Sequence, residues 1–377
     1  MVQSSPVKLG FVQKIIGRKV DKLGAAAAPY GSFAGGGIML QSKMFAYAVF
    51  LSLISASHAW SATAPTKVVV GYAAMNGRVA PLWIADEQGF LARNGLQADQ
   101  VYIRGAPLLV AGMASGDIQF GRSGGSATLA AVGAGHDFKI VATFSSRNSY
   151  DFIARPNIKR PEDLRGKKIA LNSIGGTGWM GVLFWLEHLG LDQTRDQISM
   201  QVLGDQPIMM QAVDTGIADA AALDGVFSKI LRQKGFTVLG ESANLAQRTV
   251  GQAMVVPQAF LSQRPDIVEN YLKAEIEALA FAVAPKNKAT VIKTIIKRLK
   301  GNANDAEEGY QDLLKGVDRK PFPSLDGLRN VQRMLKTRNP KIGEIKTEDV
   351  IDARIMRKLD DSGFIDRAYA AQGVSLK

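Results

Sequence analysis

The sequence predicts an α/β fold built as two lobes with a ligand cleft between them. Two series of short apolar runs rich in β-branched residues alternate with helix-like stretches, and after about Gly251 the pattern is helical. Such alternation is typical of mostly parallel sheets covered by helices. Both series share an order of strand, proline, helix and glycine, which indicates two lobes of like construction. A chain of 377 residues, 46% of them hydrophobic, is long enough to bury these cores.

Residues 1–62 are predicted to be a leader outside the fold. Lys43 precedes the apolar run MFAYAVFLSLISA from Met44, and SHAWSA follows, which is the pattern of a secretory signal peptide. Cleavage after Ala59 or Ala62 fits, and the run is too short for a comfortable membrane span. Because the preceding residues 1–43 are basic and rich in Gly and Ala, we expect Met44 to be the true first residue.

Composition narrows the class of protein. The chain has no cysteine, which excludes disulfides, thiolate metal sites and a lipid-modified N-terminal cysteine. Together with the signal peptide, this predicts an exported, unanchored protein of the bacterial periplasm. The leader holds six Lys or Arg residues and one Asp, so without it the formal charge falls from +12 to +7. That excess suits an anionic ligand or simply aids solubility, and we predict no cofactor, no metal and no nucleic acid partner.

The first series defines the first part of lobe 1, residues 63–153. Pro107 suits the first turn of a helix and Gly116, nine residues later, its C-terminal stop. Short apolar runs predict the strands, and longer periodic stretches predict the helices. The strands are expected at 67–72, 99–104, 117–121 and 139–144, and the helices at 81–95, 107–115 and 126–135.

The second series defines lobe 2, residues 154–250. Pro207 and Gly216 repeat the spacing of the first series, again with a strand before the proline. The strands are expected at 167–174, 197–203, 218–224 and 236–240, and the helices at 178–189, 207–215 and 226–235.

Residues 251–377 are expected to return to lobe 1 and end in helices. The strand-like run 251–256 would rejoin the first sheet, with the helices packed there and behind the cleft. In the stretch 265–283, one helix face carries Val268, Leu272, Ile276 and Leu279. Further helices are expected within 286–300, 324–336 and 347–363.

The stretch GTGWMG fits the dinucleotide spacing G-x-G-x-x-G at Gly176, Gly178 and Gly181. A nucleotide site should open the first βαβ unit and have an acidic residue at the end of the next strand. This motif lies in the middle of the chain, and its bulky Trp179 stands where the turn must approach a pyrophosphate. We favour a glycine turn whose helix N-terminus presents free N–H groups to an anion.

A counterpart turn lies in the first series, where RSGGSA follows the strand DIQFG. Ser123 and Ser126 could cap the following helix. Ligands of open α/β sheets bind beyond the carboxyl ends of the strands. Both glycine turns are therefore expected to face the cleft.

Several stretches carry a family resemblance across residues 67–363. They include PLWIADEQGFLARNGLQ from Pro81, GMASGDIQFG, AAVGAGHDFKIVAT, IKRPEDLRGKKIALNSIGGTG from Ile158, QAVDTGIADAAALDG and TEDVIDARIMRKLDDSGF. The chain resembles the nitrate/sulfonate/taurine-binding family of periplasmic solute-binding proteins of ABC transporters. The resemblance implies a type II bilobal fold and a monomer that closes on a small anionic solute. It further implies delivery of that solute to a permease and ATPase complex at the inner membrane.

The resemblance also implies a binding site on the loops that face the cleft. The expected contacts are Asn76, Gly77, Arg78, Ser123, Gly124, Ser126, Arg147, Asn148, Tyr150, Gly176, Thr177, Gly178, Trp179 and Asp224. Of the aromatic residues, Trp179 and Tyr150 are placed to stack on a ligand, whereas Trp83 is expected in the core.

Some of these residues could have structural roles instead. Arg78 could be a solvated loop charge or a bidentate partner of a carboxylate or sulfonate. Thr177 and Ser126 could be helix caps, and Asp224 could accept from a ligand amine or cap the helix that follows it.

We predict that the chain is a binding protein and not an enzyme, and we keep two alternatives. One is an enzyme on the same fold, resembling a pyrimidine synthase of thiamine biosynthesis, but His136 lies in a loop and His188 on the outside of a helix. The other is a receptor for a sensor or a different transporter. The solute stays open among sulfonates, taurine, nitrate, carboxylates and pyrimidines.

Overall fold

The fold is known from a computed structural model that describes residues 64–376. The predicted signal peptide, its cleavage at Ala59 or Ala62 and the proposed start at Met44 lie outside the described residues. Within the described part, no helix is both long enough and apolar enough to cross a membrane.

The first sheet has five strands in the order β2-β1-β3-β10-β4, numbered in chain order. Strands β1, β2 and β3 are parallel, whereas β10 runs antiparallel to both β3 and β4. The chain therefore returns to this sheet late, after completing the other one. The strands are Thr66–Tyr72 (β1), Leu96–Tyr102 (β2), Phe120–Ser123 (β3), Phe138–Arg147 (β4) and Arg248–Pro257 (β10).

The second sheet repeats this plan in the order β7-β6-β8-β5-β9. Strand β5 is antiparallel to β8 and β9 and was not predicted, because its four residues, three of them buried, are too few to show a period. It also lies in the second sheet although part of it falls in the range 63–153 assigned to lobe 1. The strands are Asp151–Ala154 (β5), Lys168–Leu171 (β6), Ser199–Val202 (β7), Ala220–Leu223 (β8) and Thr237–Gly240 (β9).

Helices cover both sheets. The predicted helix 81–95 is in fact two, because Gly89 adopts φ 72°, a left-handed conformation that ends the first helix. The helices are Ala80–Glu87 (α1), Phe90–Arg93 (α2), Ala106–Ala114 (α3), Gly125–Gly133 (α4), Thr177–His188 (α5), Gln206–Thr215 (α6), Gly225–Gln233 (α7), Gln258–Gln263 (α8), Pro265–Val283 (α9), Lys288–Leu299 (α10), Ala303–Gly316 (α11), Leu325–Leu335 (α12), Pro340–Gly343 (α13), Arg354–Asp361 (α14) and Phe364–Ala371 (α15).

The long helix α9 is the centre of the first lobe's core. Its predicted apolar face is buried, and the ring of Tyr271 stacks on Phe120 of β3 with 4.2 Å between centroids. Helix α11 joins this core through Tyr310 and Leu313. In the second lobe, Trp185 of α5 stacks on Phe152 of β5, and its Nε1 donates to the carbonyl of Tyr150 at 2.8 Å.

The chain passes between the sheets twice, from β4 to β5 and from β9 to β10. These strands lie toward one edge of each sheet, and the edge strands β2 and β7 lie at the opposite one. The cleft therefore has a hinge side at the crossings and a free side at β2 and β7.

Candidate functional site

Two helix N-termini, one from each lobe, meet at the cleft. Helix α4 follows β3 after the N-cap Gly124, and α5 follows β6 after the N-cap Gly176. Neither N-cap makes a side-chain capping hydrogen bond, so the first-turn N–H groups of both helices lack capping side chains. Aligned N–H groups and the helix dipole favour negative charge at such ends.

The suggested capping roles of the neighbouring hydroxyls are wrong. Ser126 Oγ donates across the cleft to the carbonyl of Gly175 at 2.8 Å, and Thr177 Oγ1 lies 3.2 Å from the hydroxyl of Tyr150. The hydroxyl of Ser126 instead links the two lobes, and the hydroxyl of Thr177 lies at the wall of the cleft. The side chain of Ser123 makes no hydrogen bond, although it is buried.

The glycines of GTGWMG make room for neighbouring groups. A Cβ on Gly176 would lie 2.6 Å from Ser173 Oγ, and one on Gly181 would lie 2.9 Å from the ring of Tyr150. Gly124 is comparable, because its Cβ would stand 2.3 Å from Thr177 Cγ2 of the other lobe. The motif therefore serves close approach at the cleft rather than a pyrophosphate.

Two adjoining cavities lie in the cleft, and Thr177, Gly251 and Gln252 line both of them. The first has about 10 Å³ of free space and the second about 30 Å³, enough for one or two water molecules in this conformation. The first is lined by Arg78, Ser145, Arg147, Asn148, Ser149, Tyr150, Thr177, Met180, Gly181, Phe184, Thr249, Val250, Gly251 and Gln252. The second is lined by Ala73, Ala74, Ala106, Arg122, Ser123, Gly124, Asn172, Ser173, Gly176, Thr177, Gly251 and Gln252.

Five buried side chains in these walls hold polar atoms that have no hydrogen-bond partner. The atoms are Arg122 Nε and Nη2, Ser123 Oγ, Asn148 Nδ2, Ser173 Oγ and Gln252 Oε1, and each residue is at most 8% exposed. A buried polar group without a partner costs about 1–3 kcal/mol. The concentration of such groups between two helix N-termini indicates a polar ligand.

Arg78 and Asp224 form an ion pair that joins the lobes. Arg78 follows β1 in the first lobe and donates to Asp224, which follows β8 in the second. Asn76 also donates to Asp224, at 3.2 Å, and accepts from Gln252. Asp224 occupies the N-cap position of α7 but makes no side-chain cap bond. Its suggested capping role is therefore wrong in this conformation.

The pKa values of several groups at this pair are shifted from their ordinary values. Burial acts to lower the pKa of Arg78, but Asp224, Tyr150 and Asp312 outweigh it, so the net shift is upward. Burial, with Asp224, raises the pKa of Tyr150. Burial likewise raises the pKa of Asp312 on α11 to about 7, against the opposing effect of Arg78. Arg78 thus stays charged, with Asp224 as its counterion.

Two other arginines differ in how available they are to a ligand. Arg147 lines the first cavity, is exposed and forms no ion pair with any of residues 64–376. Arg122 borders the second cavity, but its Nη1 donates to Glu275 at 2.8 Å and its guanidinium lies over the ring of Phe144. The Nε and Nη2 of Arg122 are nevertheless buried without a hydrogen-bond partner, so both Arg147 and Arg122 have donors available to a solute.

The structure places the predicted site residues in two groups. Those that line a cavity are Arg78, Ser123, Gly124, Arg147, Asn148, Tyr150, Gly176 and Thr177. Those that line neither are Asn76, Gly77, Ser126, Gly178, Trp179 and Asp224. Contact of the first group with a solute remains a prediction.

Gly77 and Trp179 have packing roles that their local sequence did not indicate. A Cβ on Gly77 would stand 2.0 Å from the carbonyl oxygen of Gly309, so this turn lies directly on α11. Trp179 is buried in the core, and Arg338 lies near its ring. In this conformation it offers no face to a solute in either cavity.

Sequence reasoning missed cavity residues on β6, α5 and β10. Asn172 and Ser173 directly follow β6, and Met180 and Phe184 lie on α5. Thr249 to Gln252 belong to β10, of which only 251–256 was predicted, as the returning strand. The rule that strand ends line the cleft could have identified Asn172 and Ser173. The β10 residues gave no local signal, because their position depends on pairing with distant strands.

In the described part of the chain, side chains that could bind a metal ion or act as catalysts do not cluster at this cleft. Among residues 64–376, no cluster of three or more His, Asp or Glu residues could hold a metal ion. Within the same residues, His136 and His188 line neither cavity.

Two α/β lobes around a cleft of this kind define the periplasmic-binding-protein fold. A sequence model described as NMT1/THI5 like matches residues 76–289, more than half of the chain. The chain belongs to the NMT1/THI5-like family. The expected bilobal α/β fold is thereby confirmed.

One curated relative is the taurine-binding periplasmic protein of Escherichia coli (strain K12). It is 27% identical over 192 residues, which cover 50% of this chain and 58% of that protein. The match thus spans less than two thirds of the relative.

Solved structures show the same fold at lower identity. The alkanesulfonate-binding protein SsuA from Xanthomonas axonopodis pv. citri, bound to MOPS, has a TM-score of 0.63 and 19% identity, covering 77% of this chain and 99% of that one. The nitrate-binding protein NrtA from Synechocystis PCC 6803 has a TM-score of 0.65 and 15% identity, covering 79% and 89%.

Proposed function

We propose that this chain is the substrate-binding protein of an ABC importer and that it captures a small organic anion by closing its two lobes. The observation that carries the proposal is the meeting of two uncapped helix N-termini, one from each lobe, among buried polar side chains without partners. Such a site is incomplete until a ligand supplies acceptors, and it forms only when the lobes approach each other.

The second cavity suits the anionic group. Gly124 and Gly176 bring the first-turn N–H groups of α4 and α5 to its wall, and the hydroxyls of Ser123 and Ser173 stand beside them. These N–H and O–H donors, together with the unpartnered Nε and Nη2 of Arg122 in the same wall, suit the oxygens of a sulfonate or carboxylate. We therefore propose that the head group binds at the two glycine turns.

The first cavity suits an organic body. Its wall combines the apolar surfaces of Tyr150, Met180, Phe184 and Val250 with the polar Asn148. An alkyl or aromatic group would cover this apolar surface, whereas nitrate would not, and the lobes must move apart to admit such a group because the cavity now has only about 10 Å³ of free space. We therefore favour organic sulfonates and related anions over inorganic ones.

The named relatives support the class of partner. The names of the taurine- and alkanesulfonate-binding proteins describe binding of sulfonates, and the taurine-binding protein is called periplasmic. We infer that this chain works in the periplasm and delivers its solute to a permease and ATPase complex. The absence of cysteine from the chain and the position of both described histidines away from the cavities favour a binding protein over an enzyme.

A thermal-shift screen tests the proposal. The protein is melted in the presence of taurine, alkyl and aromatic sulfonates, carboxylates, nitrate and pyrimidines, after native mass spectrometry has shown whether a ligand co-purifies. A saturable rise in melting temperature with organic anions is the expected result, since a ligand that binds only the folded state stabilises it. A rise with pyrimidines alone would contradict the anion site.

A further inference from the structure

A hydrogen bond and an ion pair join the two lobes at their edge strands. Tyr102 ends β2 of the first lobe, and its hydroxyl donates to Asp205 Oδ1 at 2.9 Å. Arg104, two residues further on, pairs with the other carboxylate oxygen of Asp205 at 3.2 Å. Asp205 follows β7, the edge strand of the second lobe. One carboxylate of the second lobe therefore holds two groups of the first.

Tyr102 and Asp205 are each positioned by contacts within their own lobe. The ring of Tyr102 packs against that of Tyr72 with 5.7 Å between centroids, and Tyr72 meets Trp83 edge to face. Asp205 is the N-cap residue of α6, but its side chain makes no capping hydrogen bond. The tyrosine ring is thus held from within the first lobe, and the carboxylate is left for a partner across the cleft.

The strand order places this contact on the free side of the second cavity. Ala74 follows β1, Ser173 follows β6, and both line that cavity. Strands β1 and β6 each lie one place inside the edge strands β2 and β7. The two crossings between the lobes lie toward the opposite edges. The bond between Tyr102 and Asp205 therefore stands between the second cavity and the side on which the lobes can part.

The residues next to this contact leave little room for passage. A Cβ on Gly105 would lie 3.7 Å from Ser173 Cβ of the second lobe. Ala106, next in sequence, lines the second cavity, which has only about 30 Å³ of free space. A solute larger than a few water molecules cannot enter on this side unless the lobes separate here.

We propose that Tyr102 and Asp205 form the gate of this cleft. Their bond closes the free side in the absence of solute, and it breaks whenever a solute enters or leaves. The bond from a hydroxyl to an ionised carboxylate is the main contact. Arg104 contributes less, because its side chain is 65% exposed and water screens its charge. The gate controls access to the site of the proposed function, but its closing requires no ligand.

The test measures closure in the ligand-free full-length chain, with native mass spectrometry to verify that no ligand is bound. The chain has no cysteine, so Gln97→Cys on β2 and Ser199→Cys on β7 place two spin labels at exposed positions of the edge strands. Pulsed electron resonance gives the distribution of distances between the labels. With the gate intact, a short-distance population of closed molecules is expected.

Two variants and their combination examine the bond itself. Tyr102→Phe removes only the hydroxyl, and Asp205→Ser shortens the side chain while keeping a residue type suited to an N-cap. Each should lower the ratio of closed to open molecules by about fivefold to tenfold, in line with loss of one hydrogen bond. The double variant should lower the ratio no further than Asp205→Ser alone, because both changes remove the same bond.

Asp214→Asn is the matched control. Asp214 lies on the same helix, α6, but pairs with Lys234 of its own lobe, so its loss should leave the ratio unchanged. The proposal is overturned by equal distance distributions in Asp205→Ser and the chain with an intact gate, whether both are open or both closed. Additive effects in the double variant, or an equal effect of Asp214→Asn, would also overturn it. Because no solute is used, each result leaves the proposed transport function to its own test.

Discussion

Arg78 binds Asp224 across the cleft, with both side chains 2% exposed. The two residues are 146 positions apart in sequence and belong to different lobes. An arginine held in this way is a contact between the closed lobes, so its charge is already paired within the protein. Anion recognition is then left to the helix N-termini, the buried hydroxyls, Arg147 and the unpartnered nitrogens of Arg122.

The first prediction concerns this pair. Asp224→Ala leaves Arg78 without its counterion, and removing one partner of a buried pair costs about 3–5 kcal/mol. Since the open state lets Arg78 return to water, the cost falls on closure. Solute affinity should drop more than about a hundredfold, while the melting temperature without solute changes little.

The double variant Arg78→Ala with Asp224→Ala is the matched control. It removes both charges and should recover part of the affinity lost in the single variant. Calorimetric titration of the three proteins gives the comparison. A double variant that binds no better than Asp224→Ala would show that the pair is not the closure contact.

The second prediction concerns the unpartnered hydroxyl of Ser173. Ser173→Ala removes a buried polar group that has no protein partner, so the ligand-free protein should be unchanged or slightly more stable. Affinity for the anion should fall by about fivefold to tenfold, in line with loss of one hydrogen bond worth about 1 kcal/mol. Ser115→Ala, on an exposed helix end, should change neither quantity. Equal affinity in Ser173→Ala would remove this hydroxyl from the site.

The third prediction concerns the close approach at Gly124. Gly124→Val puts a branched side chain where even a Cβ would be 2.3 Å from Thr177 Cγ2. Because the tightest contact crosses the cleft, the variant should close incompletely and bind at least about tenfold more weakly, and crowding against the Val250 carbonyl oxygen at 3.2 Å should lower its melting temperature somewhat. Gly133→Ala in the same helix has ordinary space and serves as control. Small-angle scattering with solute distinguishes the two variants, and full compaction of Gly124→Val would be contrary to this account.

The fourth prediction concerns Arg147. Arg147→Gln removes an exposed cation at the first cavity, so anion affinity should fall severalfold and depend less on salt. The melting temperature without solute should not move, because this charge has no ion-pair partner among residues 64–376. Binding measured at low and high salt gives the comparison. An unchanged salt dependence would mean that the solute does not sense this charge.

The sequence predicted the features that depend on local pattern. Pro107 and Pro207 each stand at a helix start, and the two glycine turns after β3 and β6 lie at the cleft. These features follow from turn chemistry and from the rule for strand ends, which act over a few residues.

The remaining features depend on contacts between distant segments. The partner of Arg78 could not be read from its loop, because Asp224 reaches it only after the second lobe has folded. Trp179 has the same local context whether it faces the cleft or the core, and the structure puts it in the core. Gln252 enters the site through the register of β10, which is set by pairing with β3 and β4.

The position of a bound organic anion tests the central claim most directly. Bromoethanesulfonate co-crystallised with the protein would show its bromine by anomalous scattering and its sulfonate in the density. The sulfonate is predicted at the turns of Gly124 and Gly176, with the bromine in the cavity lined by Tyr150 and Phe184. A sulfonate bound to Arg78 in place of Asp224, or a bromine peak outside the cleft, would contradict the account.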